Sequence, residues 1–334
     1  MRGLQFIQMM TPLTEGRKQV YLPVGKLAFL IMYLTGTNEA AKTAAMEDVG
    51  RLRLVRNSED LHNTTHEFYH DLTDLKGGYP LIDSTAAAAF SASYKIPMAL
   101  SGIPNVMDIR SKNEAYLDID WDETALAVEL ASLNAYLYGF YVPEAVERYE
   151  LFVHEQDIYA GAAGVFTVPM SGENIAAMYM KVATPANLTA LGVTVDGESV
   201  WNGDEDILTA ITNIMNHVES AGTWSEVLLT ASGNPLMSIG HAIRVQATFG
   251  ATDTLSIRKL SIRPSPIDKV RSSIVHAEVE TGNMIARLRT SDEQGRMSLI
   301  ANVPAIIRTP QHARVTIEGA TRTSAVPVRR AHPT

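Results

Sequence analysis

Three residues in the first quarter of the chain have the types and spacing of a zinc hydrolase site. His66, Glu67 and His70 fit the pattern H-E-x-x-H. On a helix, the two histidines would lie one turn apart and bind the ion, and the glutamate would activate a water molecule. The pattern therefore raises the hypothesis of a zinc metallopeptidase.

The surroundings of this motif argue against zinc. The predicted helix has an apolar stripe at 3.6-residue spacing, which consists of Leu61, Phe68, Leu72 and Leu75. A step of about 100° per residue from Leu61 puts His66 and His70 on the opposite side. Thr73 stands where the longer H-E-x-x-H-x-x-G-x-x-H pattern needs glycine. We therefore expect both histidines on the polar face of the helix, without a metal.

A second group of candidate ligands is acidic. Asp118, Asp120 and Asp122 alternate along a segment that is typical of a strand, which puts three carboxylates on one face. Glu129 occupies the twelfth position counted from Asp118, as in a calcium-binding loop, but Glu123 stands where such a loop needs glycine. The favoured interpretation is a solvated strand face, and a weak structural calcium site at a subunit contact is the alternative.

Other catalytic signatures are missing from the sequence. It contains no G-x-S-x-G elbow and no glycine-rich phosphate loop. Trp121, Trp201 and Trp224 are too few and too scattered to form a sugar-binding platform. The 334 residues include no cysteine, which excludes disulfides and thiolate metal sites. We predict no catalytic residue, no cofactor and a protein that is not an enzyme.

Charge and hydropathy exclude further classes of protein. The net charge of −9 argues against a general nucleic-acid-binding surface. Residues 264–334 carry ten Lys/Arg and six Asp/Glu and end in a basic tail, so residues 1–263 carry −13. No apolar run approaches the roughly 18 residues of a membrane span. The N-terminus lacks a small-residue cleavage site, so a secretory signal is not expected.

The elements that must position these residues occur twice. Residues 4–34 return as 150–180, which aligns Phe6 with Phe152 and Pro23 with Pro169, 146 positions later. A second match pairs residues 101–104 with 232–235, 131 positions later. The first copy contains an extra stretch, residues 79–94, which we expect to form a loop. A repeat of about 140 residues has the length of a domain, so the sequence predicts a tandem duplication.

Each copy combines short strands with one helix. The strands are rich in Val, Ile, Tyr, Phe and Thr and are separated by Gly, Pro, Asn and Asp. Ser58 is the expected N-cap of the first helix, and Asp204 or Asp206 that of the second. Residues 125–131 are predicted as a strand. The fold class is all-β: two tandem β-sandwiches of about eight strands over residues 1–143 and 144–264, and a C-terminal β extension or small domain over 265–334.

This pattern resembles a known family. Residues 21–25 lead into the strand at 27–34, and the strands at 50–56 and 193–199 run into helices. In these respects the chain is similar to the double jelly-roll major capsid proteins of tailless icosahedral viruses, especially membrane-containing bacteriophages of the corticovirus type. The resemblance implies two eight-stranded jelly rolls, each with one helix. It also implies homotrimers of pseudo-sixfold outline that tile an icosahedral shell.

The resemblance further implies partners and a location. The partners would be further copies of the chain in a homotrimer, neighbouring trimers, and penton and viral membrane proteins, with no direct contact to nucleic acid. The protein would lie in the virion and be assembled in the host cytoplasm. Two alternatives stay open at this point: the zinc metallopeptidase, and a tandem carbohydrate-binding or adhesin module.

Overall fold

The structure is a computed structural model, and it describes most of the chain. The described residues are 3–39, 44–76, 78, 82–84, 89–100, 104–170, 174–216, 224–228 and 242–265, together with four strands between 275 and 326. The chain divides into two compact units, Met1–Arg263 and Pro264–Thr334.

The first half of the larger unit is a β-sandwich. Its strands are β1 (Gly3–Met10), β2 (Arg17–Tyr21), β3 (Gly25–Asn38), β4 (Gly50–Arg56), β5 (Glu59–Thr65), β6 (Ile82–Ser84), β7 (Ala89–Pro97), β8 (Met107–Ile109), β9 (Ala115–Trp121) and β10 (Leu130–Tyr141). One sheet has the order β1-β10-β3-β7-β6, and the facing strands have the order β5-β4-β9-β2. The helices are α1 (Pro12–Glu15), α2 (His66–Leu75) and α3 (Glu123–Glu129).

The second half repeats this arrangement. Its strands are β11 (Tyr149–Glu155), β12 (Ile158–Ala160), β13 (Gly164–Pro169), β14 (Ile175–Val182), β15 (Leu188–Val195), β16 (Glu198–Gly203), β17 (Ser225–Leu228), β18 (Ile243–Phe249) and β19 (Asp253–Pro264), and its helix is α4 (Glu205–Asn216). The sheet orders β17-β14-β19-β11 and β13-β18-β15-β16 match β7-β3-β10-β1 and β2-β9-β4-β5 of the first half, whose short strands β6 and β8 have no counterpart among the described strands. With the short strands β6, β8 and β12 set aside, each half has the eight strands of a jelly roll, as predicted, and a helix, α2 or α4, follows the fifth of them.

The two rolls share one sheet. Strand β5 of the first roll and β11 of the second pair in parallel, with Val153 opposite His62 and His154 opposite Asn63. This pairing joins the inner sheets into one sheet of nine strands. One buried apolar cluster contains residues of both rolls, among them Leu61, Phe68 and Trp224, and a second cluster fills the rest of the second roll. The rolls are therefore parts of one folded block.

Two equivalent β-hairpins, one in each roll, support the duplication. The β4–β5 hairpin turns at Asn57 and Ser58, and the β15–β16 hairpin turns at Asp196 and Gly197, 139 positions later. All four residues have positive φ, as hairpin turns of two residues require. Both hairpins also shift register at the same place, at Leu54/Val55 in the first and Val193/Thr194 in the second.

The repeated helices are anchored in the same way. The hydroxyl oxygen of Thr73 on α2 accepts a hydrogen bond from the amide of Lys95 on β7, at 2.9 Å. The hydroxyl oxygen of Thr212 on α4 accepts one from the amide of Glu226 on β17, at 2.8 Å. Lys95 and Glu226 are 131 residues apart, which is the spacing of the second sequence match. That match itself, at 101–104 and 232–235, lies largely outside the described residues.

The structure corrects three local predictions. Ser58 does not cap a helix, because it lies in the hairpin turn; Thr65 caps α2 and accepts a hydrogen bond from the Phe68 amide. Residues 123–129 form the helix α3 instead of a strand, since the Asp122 side chain accepts a hydrogen bond from the Ala125 amide at its start. Residues 82–84 and 89–94 of the extra stretch are strand, and the rest of that stretch lies outside the described residues.

The described strands of the smaller unit form a four-stranded sheet. Its strands are β20 (Val275–Glu280), β21 (Asn283–Leu288), β22 (Ala313–Ile317) and β23 (Ser324–Val326). They lie in the order β20-β21-β22-β23, and β21 and β22 run in parallel.

Candidate functional site

The two histidines of the H-E-x-x-H motif are buried, so the prediction of a polar face is wrong. His66 is fully buried and His70 nearly so. The helical wheel placed them opposite the apolar stripe, but α2 is enclosed on more than one side. The ring of His66 stacks on Trp121 of β9, with 4.9 Å between ring centroids. Its Nδ1 atom forms a hydrogen bond with the hydroxyl of Tyr94 on β7.

These contacts make His66 a neutral core residue. Burial lowers its pKa to about 3, because the charged imidazolium would lose its hydration. Glu67, which would activate water in a peptidase, forms an ion pair with Lys181 of the second roll. No group of three His, Cys, Asp or Glu side chains that could hold a metal ion occurs among the described residues. The arrangement does not favour the zinc peptidase.

The three aspartates proposed as calcium ligands have different contacts in the structure. Asp118 is buried and accepts hydrogen bonds of 3.0 and 2.7 Å from Arg17, and another from Arg53. The Arg17 contact, followed by that of Arg53, lowers the pKa of the Asp118 carboxyl. Asp120 is exposed on the same strand, and Asp122 caps α3. The carboxylate best placed to bind calcium is therefore already neutralised by two guanidinium groups.

Charged side chains are concentrated where the two rolls meet. We call the contact of β4, β5 and α2 with β11, β14, β17 and β19 the seam. Arg56 is buried there and donates hydrogen bonds to Glu114 at 3.0 Å and Glu150 at 3.4 Å, and to Glu147. Burial alone would lower the pKa of Arg56, but the hydrogen bonds to Glu147 and Glu114 raise it. A buried ion cluster of this kind is specific to one docking geometry, because a displaced partner would leave a charge unpaired.

Two arginines of β19 extend this network. Arg263 donates to Glu150 on its own roll at 2.6 Å and to Glu59 on β5 at 2.7 Å. Arg258 donates to the hydroxyl of Thr64 on β5 at 3.1 Å and forms an ion pair with Glu155. Both arginines therefore link β5 to the second roll, beside the parallel strand pairing.

Helix α2 adds an aromatic contact to the seam. The ring of Phe68 meets Tyr179 of β14 and Trp224 edge to face, with centroid distances of 5.8 and 5.1 Å. At the end of the helix, Lys76 donates to Glu226 of β17 at 2.6 Å, and the Tyr179 hydroxyl donates to the same carboxylate. Helix α2 therefore contacts the second roll directly and helps to hold the two rolls together.

Sequence reasoning missed the seam entirely. No local signal singled out Arg56 or Glu150, since β4 contains three arginines and β11 two glutamates. Trp121 and Trp224 are buried and cannot form a sugar-binding surface. No helix in the described part of the chain is long and apolar enough to cross a membrane.

The fold was compared with known proteins. No protein-family model matches the sequence, and no curated protein is similar to it in sequence. Solved structures do match. The crystal structure of the STIV MCP (major capsid protein) gives a TM-score of 0.65 at 10% identity, over 80% of this chain and 98% of that one. The major capsid protein P2 from bacteriophage PM2 gives 0.57 at 12% identity, over 80% and 99%.

The chain has the double jelly-roll fold of these capsid proteins. A chain in the atomic structure of Sulfolobus Turreted Icosahedral Virus also matches, with a TM-score of 0.61 at 12% identity over 80% of this chain and 92% of that one. The match spans nearly the whole length of each solved chain, so it includes both rolls. The double jelly roll predicted from the sequence is confirmed.

Proposed function

We propose that the protein is a structural viral major capsid protein that builds a shell from copies of itself. One observation carries the proposal: two jelly rolls are fused through a shared nine-stranded sheet, in the double jelly-roll fold of viral capsid proteins. A buried network of ions and aromatic rings holds the rolls together. The result is a block with large outer surfaces, which suits lattice formation better than catalysis.

The finer proposal is a homotrimer with a pseudo-sixfold outline. Three chains with two similar rolls each place six similar units around one axis, and such a trimer tiles a hexagonal lattice. Trimers would contact one another in an icosahedral shell, with penton and viral membrane proteins as further partners. The charge of −13 on residues 1–263 disfavours direct contact with nucleic acid. The protein would be a virion component that is assembled in the host cytoplasm.

The smaller unit, Pro264–Thr334, is proposed as a domain added to the double roll. Its net charge of +4 contrasts with the charge of the rolls. The proposal needs no cofactor. If Asp118, Asp120 and Asp122 held calcium at a subunit contact after all, EDTA would dissociate the assembly, and we expect it to have no effect.

Light scattering after size exclusion, combined with electron microscopy of the purified protein, tests the proposal. We expect particles of three times the chain mass, and trimers, hexagonal sheets or shells in micrographs. A strict monomer at high concentration would contradict it. Binding to glycans by such a monomer would favour the adhesin alternative instead.

A further inference from the structure

Among the edge strands of the described double roll, β1 and β16 have a special relation to the seam. β1 pairs with β10, and β16 pairs with β15. They are the repeat equivalents of β11 and β5, the two strands that pair with each other at the seam. Each chain therefore contains an equivalent of both strands that form the seam, but these equivalents, β1 and β16, do not pair with each other within one chain.

On β16 and α4, the equivalents of buried apolar residues at the seam are also apolar, but they are exposed. Leu61 of β5 is buried, and its equivalent 139 positions later, Val200, is 46% exposed. Phe68 of α2 is fully buried against the second roll, and its equivalent, Ile207 of α4, is 48% exposed. Apolar side chains that lie together, as those of the exposed Ile207 and the partly buried Trp201 do beside Gly203, mark a contact surface in a way that single exposed residues do not.

The β1 side has the same character. Phe152 of β11 is packed against the apolar cluster at the seam, and its equivalent 146 positions earlier, Phe6, is 52% exposed. Leu4 and Met9 on the same strand are also exposed. An exposed apolar edge strand is a site for pairing with another chain.

Two ion pairs of the seam lose both charges in the repeat, although not all do: Glu67 and Lys181 have the equivalents Asp206 and Thr35. Arg56 and Glu150 form a buried ion pair across the seam. Their repeat equivalents are Val195 and Leu4, so both charges are replaced by apolar side chains. Replacing one partner alone would leave an unpaired charge in a buried contact.

A second ion pair shows the same double replacement. Arg51 on β4 pairs with Glu155 on β11, and the equivalent residues are Ala190 and Met9. Each residue of the first roll is 139 positions from its equivalent, and each residue of the second roll is 146 positions from its own. The equivalents Ala190 and Met9 lie on β15 and β1, which do not pair within one chain. Together with the exposed apolar side chains on both edges, these two double replacements fit a contact between the two outer edges of neighbouring copies.

We propose that β16 of one subunit pairs in parallel with β1 of the next, in the register of the internal seam. This places Trp201 opposite Ile7 and Asn202 opposite Gln8 of the neighbouring subunit, as His62 lies opposite Val153 and Asn63 opposite His154. The contact is head to tail and closes into a ring. The inference rests on the proposed capsid function and names the strands that hold its trimer.

A cysteine pair tests the register directly, because the chain has no cysteine of its own. The variant Gln8→Cys/Asn202→Cys should give covalent dimers and trimers under mild oxidation, seen in a denaturing gel without reductant. The matched control is Gln8→Cys/Glu198→Cys. Glu198 lies four residues from Asn202, roughly 13 Å along the strand, which is beyond the reach of a disulfide. Each single variant should give at most dimers, at the level of random collision.

A charge variant tests the contact without oxidation. Val200→Glu should abolish the trimer at concentrations where the unaltered protein is wholly trimeric, whereas Val165→Glu, at an exposed valine of β13, should leave it intact. Circular dichroism checks that both variants fold. A trimer that survives Val200→Glu and shows no Gln8–Asn202 cross-link would overturn the strand pairing and leave the capsid proposal standing. A monomer without cross-links would overturn both.

Discussion

Mild acid should destabilise this protein through two buried histidines. His62 and His66 are both fully buried at or beside α2. The hydroxyl of Tyr69 forms a hydrogen bond with His62 at 2.8 Å, and Tyr94 contacts His66. Burial lowers the pKa of each to about 3. In the unfolded chain both would titrate near the usual value of about 6.5.

The direction and the size of the pH effect on stability follow from these pKa values. Between pH 6.5 and 3 the unfolded state binds more protons than the folded state, so the free energy of unfolding falls as the pH falls. Each histidine contributes about 1.4 kcal/mol per pH unit in this window, or about 2 kcal/mol between pH 6.5 and 5. The two together remove about 4 kcal/mol, a large share of the stability of an ordinary domain.

Urea unfolding at pH 7, 6 and 5, followed by circular dichroism, measures this slope. His66→Phe removes one of the two titrating groups, so the slope attributable to the pair should halve, even though the variant is less stable at every pH. Tyr94→Phe is the matched control, since it removes the same hydrogen bond but keeps the histidine. A slope that is unchanged in His66→Phe, or a free energy of unfolding that is constant from pH 7 to 5, would refute the reasoning.

Three further substitutions have expected outcomes. Phe68→Ala should cost about 3–5 kcal/mol in thermal or urea unfolding because it empties the aromatic contact at the seam, whereas Ile207→Ala, its exposed equivalent, should cost less than about 1 kcal/mol in the monomer. Arg56→Met should cost about 3–5 kcal/mol by leaving buried carboxylates unpaired, and a near-neutral result would show that the cluster is dispensable. Gly36→Ala should cost at least about 1–3 kcal/mol, since a Cβ there would lie 1.9 Å from the Ser132 carbonyl oxygen, while Gly192→Ala, with its nearest contact at 3.9 Å, should be neutral.

Much of the fold could be predicted from the sequence, because repetition and strand patterning are local properties. The spacing of 146 residues between Phe6 and Phe152 survives in the structure as equivalent first strands of the two rolls. The positions of the two helices within the repeats are also correct. The start of α2 is not, since Asn57 and Ser58 take the positive φ of a hairpin turn that helix capping rules do not anticipate.

The candidate sites were less predictable. A helical wheel gives the direction of His66 relative to one apolar stripe, but it does not show that Trp121 and Tyr94 cover the opposite side. Likewise, the alternation of Asp118 and Asp120 predicts a common face, but not the two arginines, distant in sequence, that neutralise the first of them. In both cases the deciding contacts come from other strands.

The sequence by itself determined that the chain is a duplicated all-β protein without cysteine, because composition, repeat length and strand alternation require no knowledge of distant contacts. Only the tertiary structure decided how the two copies are joined. The parallel pairing of β5 with β11, and the ion pair between Arg56 and Glu150, connect residues about 90 positions apart. Their partners are chosen by packing across the seam, and no local pattern specifies which edge of one roll meets which edge of the next.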